Sequence, residues 1–120
     1  MSQCHSLEKQ VDPSCTAAVV GSGDMPVLAT PTLVAWMEQA ALELAATMLE
    51  PGQTTVGVHV QTSHVKASKV GAMLRVQAVL VERDGRKMRF DIGAYEHGEL
   101  VGQGTHDRVV VDRERFLNRL

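Results

Sequence analysis

Two residues carry chemistry that their surroundings do not ask for. Glu38 lies in the run "ATPTLVAWMEQAALELAATMLEPG". That run is punctuated as one long helix, with Thr30 as N-cap, Pro31 at the first helical position and Pro51-Gly52 as the stop. Stepping about 100° per residue from Leu33, Gln39 and Glu43 fall in a polar sector near 240–280°. Glu38 falls near 140°, among Val34, Leu42, Ala45 and Leu49. Burying an unpaired carboxylate costs several kcal/mol or raises its pKa above about 4.3, so a partner or a wet site is expected beside it. His64 is a candidate partner. It follows "TTVGVHVQTS", whose valines Val56, Val58 and Val60 mark one face of a strand, and the same period-two alternation turns His64 to that face. An inward carboxylate and imidazole can serve as nucleophile, base or acid.

The elements needed to hold such a pair are legible around it. The chain has 120 residues, enough for one domain with a real core. Hydrophobic residues make up 44% and aromatics only 3%, so Val, Leu, Ala and Met must fill the interior, and a nucleic-acid stacking platform is not expected. The net charge of -2 gives no basic field for a polyanion. Cys4 and Cys15 form no disulfide framework or metal spacing, His59, His97 and His106 show no metal-ligand pattern, and no metal is assigned. No secretory signal or membrane span is recognised, which points to a soluble protein in a reducing cytoplasm.

Residues 1–15 read as a flexible segment and 16–120 as a single domain. Thr16–Val20 reads as a short first strand. After the helix come four strand-like runs: Thr54–His64, Ala72–Glu82, Lys87–Glu96 and Leu100–Val111. Asp84-Gly85 centres a hairpin, "EHGE" (96–99) makes the next reversal, and Gly102 and Gly104 suggest a bulge, a bend or a close backbone approach. The tail from Asp112 suggests a short helical turn. One long helix with four or five antiparallel strands is an α+β layout, with one sheet face packed on the helix.

From Leu28 to Phe116 the chain resembles the hotdog-fold acyl-CoA thioesterases, and most closely their fluoroacetyl-CoA thioesterase branch. The resemblance rests on "AT" before the helix, "WMEQA", "LEPG", the spacing of Gly57 to His64, and "GTHDRVVVDRERF" near the end. It implies a central helix wrapped by a curved sheet of about five strands, dimers or dimers of dimers formed through sheet edges, and acyl-CoA sites at the subunit interface. It implies that Thr30, Glu38 and His64 are catalytic, that Gly57 and Arg108 contact substrate, and that coenzyme A enters with the substrate so that no separate cofactor is needed. Two features depart from that branch. Pro31 stands where it has glycine, and "VVGSGDMPVL" offers no counterpart to its aromatic lid.

Thioester hydrolysis needs an activated water or a nucleophile, and a donor for the carbonyl oxygen as it gains charge. Glu38 can attack directly or deprotonate water, His64 can polarise the carbonyl or protonate the thiolate, and Thr30 can orient either. Each residue also has a plain structural role: a cap for Thr30, a solvated carboxylate or cross-dimer ion pair for Glu38, a core imidazole for His64, relief of crowding for Gly57, and a cross-sheet ion pair for Arg108. Lys66 and Lys69 are either contacts for CoA phosphates or ordinary solubilising residues. The expected function is acyl-CoA hydrolysis. A non-catalytic acyl-CoA binding module and a hotdog enoyl-CoA hydratase are the alternatives, and the acyl group is not specified.

Overall fold

Alanine and leucine set the central element. Helix α2, Thr30–Ala46, buries Leu33, Trp36, Met37, Ala40, Ala41, Leu44 and Ala45, a repeat of three and four that keeps one stripe against a sheet. The computed structural model describes residues 3–120. Its chain order is β1 (Gln3–Gln10), a 3-10 turn at Pro13–Cys15, α1 (Ala17–Val20), α2, β2 (Gln53–His64), β3 (Met73–Asp84), β4 (Lys87–Glu96), β5 (Glu99–Asp112) and α3 (Arg113–Asn118). The strands form one antiparallel sheet in the order β1-β3-β4-β5-β2. The core lies between its inner face and α2, where Leu74, Val76, Met88, Phe90, Ile92, Val101 and Val110 meet the helix stripe.

Several expectations are corrected. The N-terminal segment is not loose from residue 3 onward: Gln3–Gln10 pairs along its whole length with β3. As an edge strand it needs only one apolar side, and its inward positions are His5, Leu7 and Lys9, too mixed to register as a strand by composition. His5 Nε2 also lies 2.8 Å from Glu43 Oε1 on α2. The sheet unit therefore includes residues well before 16. Of the expected strand Thr16–Val20, Thr16 alone is extended, bridged to Leu28, and Ala17–Val20 is one helical turn closed by Gly21 in the left-handed region at φ 95°.

Helix α2 starts one residue earlier and ends sooner than expected. Its N-cap is Ala29, held by its N–H to the Cys15 carbonyl at 2.9 Å. Thr30 is therefore already helical and its hydroxyl is free of capping. At the other end the Thr47 hydroxyl donates to the Leu44 carbonyl at 2.7 Å, turning the chain before Pro51. The β3–β4 hairpin closes on Gly85-Arg86, one position beyond Asp84-Gly85, because Asp84 still pairs with Lys87 and Gly85 supplies the positive φ of 60°.

The most consequential irregularity is in β2. Its register against β5 shifts between Gly57 and His59, so one extra residue is accommodated there. Before this bulge the odd positions Thr55 and Gly57 pair with the inward Val110 and Arg108. After it the even positions Val60, Thr62 and His64 face in. The valine alternation is thus not a single face: Val56 and Val60 sit on opposite sides, and Val58 is 59% exposed. His64 does point inward, but the bulge is the cause.

Candidate functional site

The five residues singled out in the sequence gather at two points along α2. At its N-terminal end, Thr30 Oγ1 lies 2.8 Å from His64 Nδ1. The helix start and the last residue of β2 position this pair. His64 Nε2 is buried without a hydrogen-bond partner among the described residues. Burial pushes the His64 pKa down, offset in part by the Lys66 backbone, so the ring is held neutral. When the Thr30 hydroxyl donates to Nδ1, the proton of the neutral ring sits on Nε2, ready to donate to a carbonyl oxygen or a leaving thiolate. A hollow of about 280 Å³ opens here, with Ala17, Ser22, Val27, Thr30, His64 and Lys66 on its wall.

Two turns further along α2, Glu38 faces the bulge. Its Oε2 lies 4.0 Å from Arg108 Nη1. A Cβ on Gly57 would come within 3.1 Å of Glu38 Oε2, 3.1 Å of His106 Cε1 and 3.3 Å of Arg108 Nη1. The bare glycine therefore keeps open a hollow on which carboxylate, imidazole and guanidinium converge. Arg108 is buried and pinned: Nε donates to Thr55 Oγ1 at 2.7 Å, Nη2 to the Thr55 carbonyl at 2.9 Å, and Nη1 to His106 Nε2 at 3.1 Å. Burial pushes the Arg108 pKa down while Glu38 pulls it up. The side chain of Glu38 is 39% exposed and that of Arg108 only 7%, so the carboxylate is the part open to solvent or substrate.

Within one chain these points stay apart. Thr30 and Glu38 are eight residues apart on one helix, about 12 Å by rise. Among the described residues Glu38 has no hydrogen bond or ion pair to His64, and its charged neighbour is Arg108. Within one chain the expected Glu38–His64 contact is therefore not formed. Lys66, weighed for CoA phosphates, lies 3.3 Å from Glu99 and 3.8 Å from Glu96, whereas Lys69 is exposed. His106 received no role from the sequence. The signal was its spacing of two from Arg108, which sets both on the inner face of β5 beside Val110.

A helix wrapped by a curved five-stranded antiparallel sheet, with polar groups collected between the helix and an edge strand, defines the hotdog class of α+β proteins. Solved structures agree. A fluoroacetyl-CoA thioesterase FlK variant in complex with acetyl-CoA superposes with a TM-score of 0.92 at 26% identity, over 98% of this chain and 93% of that one. A thioesterase superfamily member from Thermus thermophilus superposes at 0.91 with 26% identity, over 98% and 88%. The fluoroacetyl-CoA thioesterase of Streptantibioticus cattleyicolor is 33% identical over 90 residues, which is 75% of this chain and 65% of that relative's length. The sequence pattern of the fluoroacetyl-CoA-specific thioesterase family matches residues 11–114. The chain belongs to that family, whose name is that of thioester hydrolases.

Proposed function

We propose that this protein hydrolyses acyl-CoA thioesters to a carboxylic acid and free CoA, as a homodimer in which each site is built from two chains. The observation that carries the reading is the separation of two half-sites in one chain. Thr30 and His64 offer a hydroxyl and an imidazole nitrogen without a partner among the described residues, while Glu38, Gly57 and Arg108 offer a carboxylate beside a hollow, so the carboxylate and the free imidazole donor stand on different half-sites. β2 is an edge strand, and an antiparallel pairing of two β2 edges about a two-fold axis at Gln61 sets Val60 against Thr62 of the partner subunit and, with Val58 as the extra residue of the bulge, the partner's His64 opposite Gly57. The same pairing covers Val58 and Val60, which are 59% and 39% exposed, and faces the uncovered stripe of α2 that runs through Val34, Glu38 and Leu42.

In this reading Glu38 either attacks the thioester carbonyl carbon, displacing the CoA thiolate and leaving an anhydride that water opens, or removes a proton from the water that attacks. His64 Nε2–H stabilises the carbonyl oxygen as it gains charge or protonates the thiolate, and Thr30 sets the ring's orientation. Gly57 and Arg108 contact the substrate. No cofactor is required beyond the CoA that the substrate carries, and the reducing cytoplasm is the compartment that fits free Cys4 and Cys15.

The test is a panel of short, branched and aromatic acyl-CoAs assayed for free thiol and for hydration, alongside light scattering at micromolar protein. Thiol release from a dimer supports the reading. Hydration of an enoyl-CoA without thiol release, tight CoA binding with no turnover, or an active monomer each overturns a stated part of it.

A further inference from the structure

His106, on the inner face, joins the bulge to Arg108, the neighbour of the carboxylate. It is 1% exposed, tucked between β2 and β5 with Phe90 beside it, ring centroids 6.4 Å apart. Its Nδ1 lies 2.8 Å from the carbonyl oxygen of His59. A carbonyl only accepts, so Nδ1 carries the proton, and in the neutral ring Nε2 is a bare lone pair. That lone pair meets Arg108 Nη1 at 3.1 Å, and the guanidinium can only donate. The contact to His59 falls where the register of β2 breaks, and the contact to Arg108 holds the nitrogen that lies 4.0 Å from Glu38.

We propose that His106 is a positioning residue of the hydrolytic site: through Nδ1–H it holds the bulge that aims Gly57 inward, and through Nε2 it holds Arg108 Nη1 opposite Glu38. This rests on the reading of Glu38 as the reacting carboxylate. Only a neutral imidazole meets both demands in one rigid ring. A lysine or arginine cannot accept, and a proton on Nε2 would set N–H against N–H. The charged groups that bear on the ring are Arg108 and, from the far face, Asp107 on β5 and Glu38 on α2, with the His59 carbonyl on β2 and apolar Phe90 on β4. Burial first, then Arg108, push the ring's pKa down, while the His59 backbone, Glu38 and Asp107 oppose them, and the net direction favours the neutral form.

The two contacts can be separated. In His106→Asn the amide takes the place of Nδ1, keeping a donor for the His59 carbonyl and losing the acceptor for Arg108. In His106→Gln the amide oxygen takes the place of Nε2, keeping the acceptor and losing the donor. His106→Leu loses both. Expected are a kcat loss of roughly 10²-fold in the Leu variant and of roughly tenfold in each of Asn and Gln, which drop one contact apiece, with a lowered melting temperature in Leu and Gln but not in Asn. Nitrogen-15 spectra of the parent ring should show the Nδ1–H tautomer at neutral pH. Parent kcat in all three variants, activity that merely follows melting temperature, or an Nε2–H tautomer overturns the proposal. Glu38→Gln run in parallel separates the two failures. If it keeps the parent rate, the hydrolytic reading falls. If it is inactive while every His106 variant keeps the parent rate, only the positioning role falls.

Discussion

The two ends of the site are built in opposite ways. Around Gly57, Arg108 makes four polar contacts, His106 uses both ring nitrogens, and a glycine without a side chain holds the space between them. Around Thr30, a hydrogen bond of 2.8 Å joins an exposed hydroxyl to a ring whose other nitrogen has no partner among the described residues. Electrostatic groups that act by where they stand gain from being locked in place before substrate arrives. A group that must donate a proton to substrate has to keep one valence unspent. The difference fits a division in which the Glu38 end supplies a fixed field and a carboxylate, and the His64 end supplies a mobile proton.

If both ends serve one reaction, removing them should not cost independently. Glu38→Gln and His64→Ala should each lower kcat/KM by roughly 10²-fold or more, and the double variant should lose clearly less than the product of the two. Steady-state kinetics with thermal melts on all four proteins measure this. Multiplying losses would break the comparison by showing two unconnected sites. Mixing the single variants sharpens it: a site shared between chains predicts that Glu38→Gln and His64→Ala subunits regain part of the activity as heterodimers, since one of the two sites is then intact.

What was legible in the sequence follows the range of the forces involved. Helix α2 and the four later strands could be read because burial imposes a local period, and Lys87–Glu96 matches to the residue. β1 was missed because an edge strand anchored by His5–Glu43 and by pairing with β3 needs little apolar character. The bulge at Val58 was hidden because its exposed valine continues the alternation expected of a strand without one. Glu38 stood out as a carboxylate on an apolar arc, yet its neighbour Arg108 lies seventy positions away and no spacing rule connects them. The reading of Thr30 as a cap failed for a local reason, since the Ala29 backbone is tied to Cys15 and the helix begins before the threonine.

Thr30→Ala is the next smaller perturbation and bears on the looser end alone. Because the hydroxyl caps nothing, the cost to stability should be about 1 kcal/mol, that of one hydrogen bond. The rate should fall by about tenfold, because the ring loses the contact that selects the Nε2–H tautomer. Thr30→Ser should restore both. A melt and a kcat measured on the same preparation decide it, and an unchanged rate would leave Thr30 outside the reaction.

The smallest expected effect is on pH and stability, and it treats the two ends alike. His64 and His106 both have pKa values lowered chiefly by burial. In the unfolded chain a histidine takes up its proton near pH 6.5, while in the folded protein these two resist until lower pH. As pH falls from about 7 toward 5.5, the unfolded state therefore binds more protons than the native state, and stability must fall with it. Above pH 7 both states are neutral at these rings and the contribution vanishes. The lowered carboxylates Asp12, Glu43 and Asp107 lose their share only from the ordinary carboxylate range downward, so they do not confuse this window. Urea melts at half-unit steps between pH 8 and 5.5 should show a flat region followed by a decline. His64→Ala and His106→Gln should each flatten part of that decline, and more so for His106, which is the more deeply buried ring. A parent whose midpoint holds constant to pH 5.5 would mean that both rings protonate as freely in the fold as out of it, against the burial that lowers their pKa values.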